Sequence, residues 1–293
     1  VEVFVAEPQT PELHAAYAHC ARIARRSGSS FLAAFWLFPR EQRRALHATY
    51  AFCRLADDIA DDPAVDGDRE LLLERWRAVL DDAYLGKTGH PVGIALGDAA
   101  QRFRLRKDWF TDLLAGVESD LRGEPIERFA DLERYCYRVA STIGLLVTGI
   151  RGVQGPGVTD YATHMGIAVQ LTNVLRDVGE DAASGRIYLA REDLERFGID
   201  AAELATRRLS DDVRLLLAVY AERARMRFER AEAALPAEHR AALRPAQAMA
   251  GIYRDLLETL QARGFPCMEG SLRLSKPRRL AVAARTWALG SVA

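Results

Sequence analysis

Four carboxylates, Asp57, Asp58, Asp61 and Asp62, occupy six positions at the end of "HATYAFCRLADDIADD", residues 47–62, a segment that otherwise reads as buried helix. A second acidic cluster closes "NVLRDVGED", residues 173–181. On a helical wheel, Tyr50, Arg54, Asp57 and Asp61 share an arc of roughly 60°, opposite Ala48, Ala51, Phe52, Leu55 and Ile59. Gln170, Asn173, Asp177 and Asp181 share an arc of about 80° that includes Gly166, opposite Ile167, Leu171, Val174, Leu175 and Val178. Each helix thus carries two carboxylates one turn apart, about 6 Å along its axis.

The ordinary explanation is a solvated helix end, and three features argue against it. Solvated faces usually mix Lys and Glu in i,i+4 pairs, whereas these arcs hold Asp, Asn, Gln, Arg and Tyr. Acidic residues at a helix C-terminus oppose the helix dipole. The same arrangement also occurs twice. Carboxylates gathered in this way repel one another unless a cation joins them, and short Asp side chains supply the hard oxygens that Mg²⁺ prefers. Two such helices can hold a cluster of ions that binds a diphosphate and stabilises the charge developed when its C–O bond breaks. The carbon fragment left behind is a carbocation, so the remaining walls must be dry. The segment 135–150 suits such a wall: it is apolar, with the small residues Ala140, Ser141 and Gly144.

The elements that must carry these groups are helical. Alternating strand patterns are nearly absent, apart from a short extended piece expected at "VEVFVAE". In "DWFTDLLAGVESDL", Phe110, Leu113, Leu114, Val117 and Leu121 follow the spacing of a half-buried helix. Gly and Pro concentrate at "DDPAVDGD", "YLGKTGHP", "LRGEP", "RGVQGPGVTD", "ALPAEHR" and "RGFPCMEG". "GVQGPG" follows a helix, so it reads as a loop and not a phosphate cradle. These short breaks predict roughly ten to twelve helices in a single all-α domain spanning 1–293, a bundle around a central cavity.

Hydrophobic residues make up 49% of the 293-residue chain, enough for a sizeable core. The formal charge of -1 argues against a nucleic-acid partner. Lys is confined to Lys87, Lys107 and Lys276, so nearly all the positive charge is Arg, the better fork for phosphate. Cys20, Cys53, Cys136 and Cys267 form no C-x-x-C pair and are expected to be reduced and buried. The six His residues form no zinc motif. "VASTIGLLVTGI" is too short to cross a bilayer, and no leader is recognisable. The expectation is a cytoplasmic protein, with peripheral membrane contact left open.

"YAFCRLADDIADD", "RYCYRVASTIG" and "QLTNVLRDVGEDAASGRIYLAREDL" together resemble the squalene/phytoene synthases, in particular the bacterial squalene-synthase-like branch. The likeness runs from about Ser27 to Arg279. It implies that Asp57 and Asp61, with Asn173, Asp177 and Asp181, ligate two or three Mg²⁺ ions on a substrate diphosphate, with Asp58 a lesser ligand. It implies that Arg54, Arg176, Arg186 and Arg273 contact diphosphate oxygens. Tyr50, Tyr135, Tyr188 and Tyr253 would line the reaction centre, together with Gln170, Val139 and Gly144. Ser29 and Ser30 occupy the stretch where relatives bind a phosphate with Ser and a basic residue. No basic side chain lies inside that stretch here, although Arg25 and Arg26 precede it. Arg176 has an alternative structural partner in Glu180, and Arg273 belongs to a basic amphipathic stretch that could rest on a membrane or be a solvated tail.

The implied reaction joins two prenyl diphosphates head to head, through a cyclopropylcarbinyl diphosphate, to a C30 or C40 product. Farnesyl diphosphate is the expected substrate, within hopanoid or related triterpenoid chemistry, and geranylgeranyl diphosphate the alternative. NADPH use is left open, and downstream isoprenoid enzymes are conceivable partners. A head-to-tail prenyltransferase or class I terpene cyclase would carry D-D-x-x-D or N-D-x-x-S-x-x-x-E in the second motif, which "NVLRDVGED" does not match. A non-catalytic family member acting as an assembly factor would have no use for the paired aspartates, and all four are present.

Overall fold

The computed structural model describes residues 10–27, 35, 38–266 and 270–289. Among these residues there is no strand, and the chain is helical throughout. The segment "VEVFVAE", the pair Ser29 and Ser30, and Cys267 lie outside the described residues. The chain divides into two compact units, up to Thr111 and from Asp112 onward.

The first unit is built from α1 (Pro11–Arg26), α2 (Arg40–Asp61), α3 (Arg69–Leu85) and α4 (Pro91–Phe103), with the start of α5 (Lys107–Leu121). Side-chain caps fix the helix starts: Thr10 Oγ1 accepts from Leu13 N, and Asp68 Oδ1 accepts from Glu70 N and Leu71 N. Small residues, Ala45, Ala48 and Ala56, line the buried face of α2 around the fully buried Phe52. The Phe52 ring stacks on Trp76 at 5.1 Å and meets Phe110 edge-on at 5.5 Å. Trp76 Nε1 also donates to the Phe52 carbonyl at 3.2 Å, so one indole holds α2 by both its ring and its backbone.

The second unit continues with α6 (Phe129–Cys136), a π-helical turn (Tyr137–Ser141), α7 (Thr142–Arg151), α8 (Pro156–Ala183), α9 (Arg191–Arg196) and α10 (Ala201–Ala205). It ends with α11 (Asp211–Ala234), α12 (Ala237–Arg240), α13 (Arg244–Ala262) and α14 (Lys276–Leu289). Eleven of the described α-helices have eight or more residues, within the expected ten to twelve. α8 is the axis of this unit: its 28 residues extend about 42 Å, and Ile167, Leu171, Val174, Leu175 and Val178 are all buried. It begins at Pro156, because proline is well suited to the first helical position.

Two features locate what surrounds α8. Asp193, only 4% exposed, is held by Arg223 at 2.5 Å and by the Tyr220 hydroxyl at 3.0 Å, and Tyr220 in turn accepts from Ala190 N. Arg223 also lies over the Phe129 ring at 4.0 Å, tying α6 and α9 to α11. The helical path of the segment 135–150 is interrupted by the π turn, in which Thr142 N bonds to Tyr137 O. The cause lies across the interface: Ser141 Oγ donates to Thr163 O at 2.7 Å, and the absence of a Cβ at Gly166 lets the Ser141 backbone lie directly against α8.

Substituting Gly166→Ala would overlap that backbone. It should lower stability by about 1–3 kcal/mol, read as a drop of several degrees in the thermal midpoint with the helical circular dichroism unchanged.

Candidate active site

In the first unit, the last turns of α2 carry Tyr50, Arg54, Asp57, Asp58 and Asp61, with Arg54, Asp57 and Asp61 exposed. Arg54 Nη2 pairs with Asp58 Oδ1 at 2.6 Å, one turn along the helix. The Tyr50 hydroxyl donates to Ser27 Oγ at 2.7 Å, and Ser27 Oγ donates to Ala24 O, which fixes the ring beside the end of α1. Phe35 meets the Tyr50 ring edge-on at 6.3 Å. The cost of acidic residues at this C-terminus is offset by Arg69, whose guanidinium donates to the carbonyls of Ile59, Ala60 and Asp62. Asp62, the fourth carboxylate of the cluster, accepts from Ala64 N and shapes the following turn.

In the second unit, the arc on α8 is organised by hydrogen bonds. Asn173 Nδ2 donates to Gln170 Oε1 at 3.2 Å, while Asn173 Oδ1 is buried without a partner. Arg176 grips Asp177 with both Nε and Nη2, so its partner is Asp177 and not the alternative Glu180. Tyr253 on α13 is hydrogen-bonded to Arg176 and Asn173, and burial pushes its phenol up. Ser271 ties down the segment before α14: its Oγ donates to Asp177 Oδ1 at 2.8 Å and its N to Glu180 Oε1 at 3.1 Å. Arg273, two residues on, is exposed.

After α8 the chain reverses through Gly185 at φ +84°, a left-handed conformation that glycine adopts freely. The turn brings Arg186 and Tyr188 back to line a narrow cleft with Asp181. Burial pushes the Asp181 carboxyl up to about 6, and the neighbouring Asp177 charge adds to the effect while Arg186 and Arg176 oppose it. Asp120, at the end of α5, also contributes to raising Asp181. It accepts from the Tyr135 hydroxyl at 2.8 Å and from the Tyr188 hydroxyl at 2.8 Å, under two rings stacked at 5.0 Å.

On the π turn and α7, Gly144 lies against Ala162 and Val139 against Gly116. Val139, Ala140, Ile143 and Val147 are the partly exposed apolar positions of this segment. Sequence reasoning missed Asp120, Ser271 and Arg69. Asp120 carried the same signal as the others, an Asp in the last turn of a half-buried helix, but its i+4 residue is Glu124, beyond the helix end, and not a second Asp. Ser271 had no signal, because its contacts are made from a loop.

A profile of the squalene/phytoene synthases matches residues 24–283. The chain belongs to this family. It is 33% identical over 284 residues to the 15-cis-phytoene synthase of Synechocystis sp., an alignment covering 93% of this chain and 84% of that one. The fold matches a dehydrosqualene synthase solved with a ligand, with a TM-score of 0.82 and 30% identity, covering 95% of this chain and 97% of the other. It also matches the squalene synthase HpnC of Alicyclobacillus acidocaldarius, with a TM-score of 0.81 and 28% identity over 88% of this chain and 97% of that one. Members are prenyltransferase-type enzymes that condense prenyl diphosphates head to head, and this chain is an enzyme of that type.

Among the described residues no three carboxylate, imidazole or thiol groups converge closely enough to hold a metal ion unaided. The donor set nevertheless fits a divalent cation that completes its shell with water and diphosphate oxygens. Asn173 Oδ1 is an unpartnered buried oxygen on the same arc as Asp177 and Asp181, and those two carboxylates repel each other.

The Asp181 shift fixes the sign of a pH dependence. Its folded-state value lies above the ordinary carboxylate value, so ionisation is penalised in the fold, and stability falls as pH rises from about 4 through about 6. Without divalent cations, Asp181→Asn should raise the thermal midpoint at pH 8 and leave it nearly unchanged at pH 4.

Proposed function

We propose that the protein joins two molecules of farnesyl diphosphate at their diphosphate-bearing carbons, through presqualene diphosphate to a C30 product. The observation that carries this reading is the oxygen-rich end of α8. There the buried, unpartnered Asn173 Oδ1 accompanies Asp177 and Asp181, in a family whose chemistry is head-to-head prenyl condensation.

In this reading Asp57 and Asp61, supported by Asp58, and Asn173, Asp177 and Asp181 hold Mg²⁺ on the donor diphosphate. Bound magnesium supplies Lewis acidity to the diphosphate and offsets the negative charge that grows as its C–O bond breaks. Arg54, Arg176, Arg186 and Arg273 bind diphosphate oxygens. Both Asp177 oxygens are engaged by Arg176, and Ser271 shares one of them, so loading the site requires these contacts to exchange. Ionisation leaves an allylic cation, which the double bond of the second molecule attacks. Ring closure releases a proton to the departed diphosphate. A second ionisation opens the cyclopropane, and the fate of that cation (hydride from NADPH, proton loss or capture by water) sets the final product. Tyr50, Tyr135, Tyr188 and Tyr253 flank the cations with Gln170, and the partly exposed apolar positions on the π turn and α7 keep water out.

The likeness to the dehydrosqualene and HpnC squalene synthases supports the C15 substrate. A second reading, two geranylgeranyl diphosphates to phytoene, is favoured by the 33% identity to a phytoene synthase. No helix among the described residues is long and apolar enough to cross a membrane. On α14, however, Leu280 is 72% exposed and Trp287 37%, one heptad apart on a helix that also bears the exposed Lys276 and Arg285. This supports peripheral contact with an anionic lipid surface, the natural reservoir of such substrates.

The test is to incubate purified protein with each prenyl diphosphate, with and without Mg²⁺ and NADPH, and to identify products by mass spectrometry. The C15 substrate should be consumed faster than the C20 one, and only with divalent metal. Asp57→Asn and Asp177→Asn should each reduce turnover by about 10²–10³-fold, and the double variant should be little worse than either, as expected of groups acting as one unit. Preferential conversion of the C20 substrate would establish the second reading. Full activity in either variant would overturn the assignment of the site.

A further inference from the structure

The last stretch of the chain differs from the rest in charge. Residues 270–293 hold five basic residues (Arg273, Lys276, Arg278, Arg279 and Arg285) and no acidic one, in a chain whose 40 basic and 41 acidic residues otherwise balance. Most of this stretch is α14, 14 residues and about 21 Å long. At about 100° per residue, Pro277, Leu280, Ala281, Ala284, Trp287 and Ala288 share an arc of about 120°, and all six are exposed. Lys276 borders this arc on one side and Arg285 on the other, both exposed. Resting on the reading above, we propose that α14 docks the enzyme on an anionic phospholipid bilayer, its apolar arc set among the headgroups, and that the substrate is drawn from that bilayer.

The opposite side of α14 is committed to the fold. Val282 and Thr286 are buried, and Gly251 on α13, having no Cβ, lets the Thr286 side chain seat directly against it. Arg278 reaches both oxygens of Asp255 on α13, at 2.7 and 3.0 Å. The helix is therefore a fixed platform, and only its outer arc is open to a partner. Leu272 and Leu274, which lead into it, pack on the core of the unit. Ser271, just before them, is tied to Asp177 and Glu180 near the end of α8. Residues 272–275 are all that separates this tie from the platform, so a bilayer met by α14 is joined through a short, anchored run of chain to the candidate site.

Charge and composition choose the partner. A solvated face interleaves acids with bases, as α11 does: Leu215, Val219 and Met226 are exposed along one stripe, but Glu222 stands among them and pairs with Arg225. The arc on α14 has no charge within it and only positive charge beside it. Packing α14 against itself in a second copy of the chain would set one wholly basic helix on another. Lipid phosphates complement it instead: Lys and Arg stems lie along the apolar surface with their heads at the phosphates, and a Trp ring suits the same depth. A prenyl diphosphate is an amphiphile of the same design, an apolar chain with an anionic head, and it concentrates at the same boundary.

The experiment uses the full chain and phosphatidylcholine vesicles with or without phosphatidylglycerol. The protein should sediment with the anionic vesicles and not with the neutral ones, and raised salt should release it. Trp287 fluorescence should shift to shorter wavelength on binding, a shift that Trp287→Phe removes. Leu280→Glu and the double variant Lys276→Glu/Arg285→Glu should each lower vesicle affinity by about tenfold or more. Both should keep the wild-type rate on farnesyl and geranylgeranyl diphosphate in vesicle-free buffer with Mg²⁺. Anionic vesicles should lower the wild-type KM several-fold with kcat changed less than about twofold, and should leave both variants unmoved. Wild-type protein that does not prefer anionic vesicles, variants that bind them equally well, a KM that vesicles do not move, or a dimer in solution that Leu280→Glu disrupts each overturns the proposal and leaves the proposed reaction standing. Vesicle binding with neither prenyl diphosphate consumed overturns that reaction, and the delivery of substrate with it, while docking through α14 stands.

Discussion

Negative side chains at the carboxyl end of a helix oppose the helix dipole, and neighbouring ones oppose each other. This chain accepts that penalty on α2 and again on α8, and Asp120 repeats it at the end of α5. The surrounding structure offsets it locally. Arg69 takes the terminal carbonyls of α2, Arg176 and Ser271 hold Asp177, two phenols satisfy Asp120, and Asp181 holds its proton more tightly than an ordinary carboxyl. These contacts do not remove the excess of oxygen donors. Asn173 Oδ1 remains buried and unpartnered, which is the state a hard cation would relieve.

Small residues in the second unit serve close approach. Gly166 admits the backbone of Ser141, Gly144 receives Ala162, and Gly116 receives Val139. The helices are thereby drawn together around α8, and the π turn is the local register change that lets Ser141 reach Thr163. Open apolar surface is left to Val139, Ala140, Ile143 and Val147 on the same run.

Much of this was legible from sequence. Helical periodicity and the Gly/Pro breaks were enough to give the fold class and the number of long helices, because both depend on local pattern. The faces of α2 and α8 were also legible, since a wheel requires only regular geometry. The π turn was not, because its cause lies in a partner residue, Gly166, 25 positions away from Ser141. The partner of Arg176 was ambiguous for a similar reason. Glu180 has the favourable helical spacing, but it accepts from Ser271 N, while Asp177 presents both oxygens to the guanidinium fork. Asp120 was not legible because its contacts come from two aromatic side chains, Tyr135 and Tyr188, that are remote in sequence.

The three carbonyls gripped by Arg69 have one more consequence. Whatever enters and leaves the acidic tip of α2 imposes a swing in local charge, and a bare helix terminus answers such swings by fraying. With Ile59, Ala60 and Asp62 all fastened to one guanidinium that is rooted in the first turn of α3, the backbone has little freedom to unwind. Adjustment is left to the rotamers of Asp57, Asp58 and Asp61, which can change quickly and reversibly while the frame that carries them stays still.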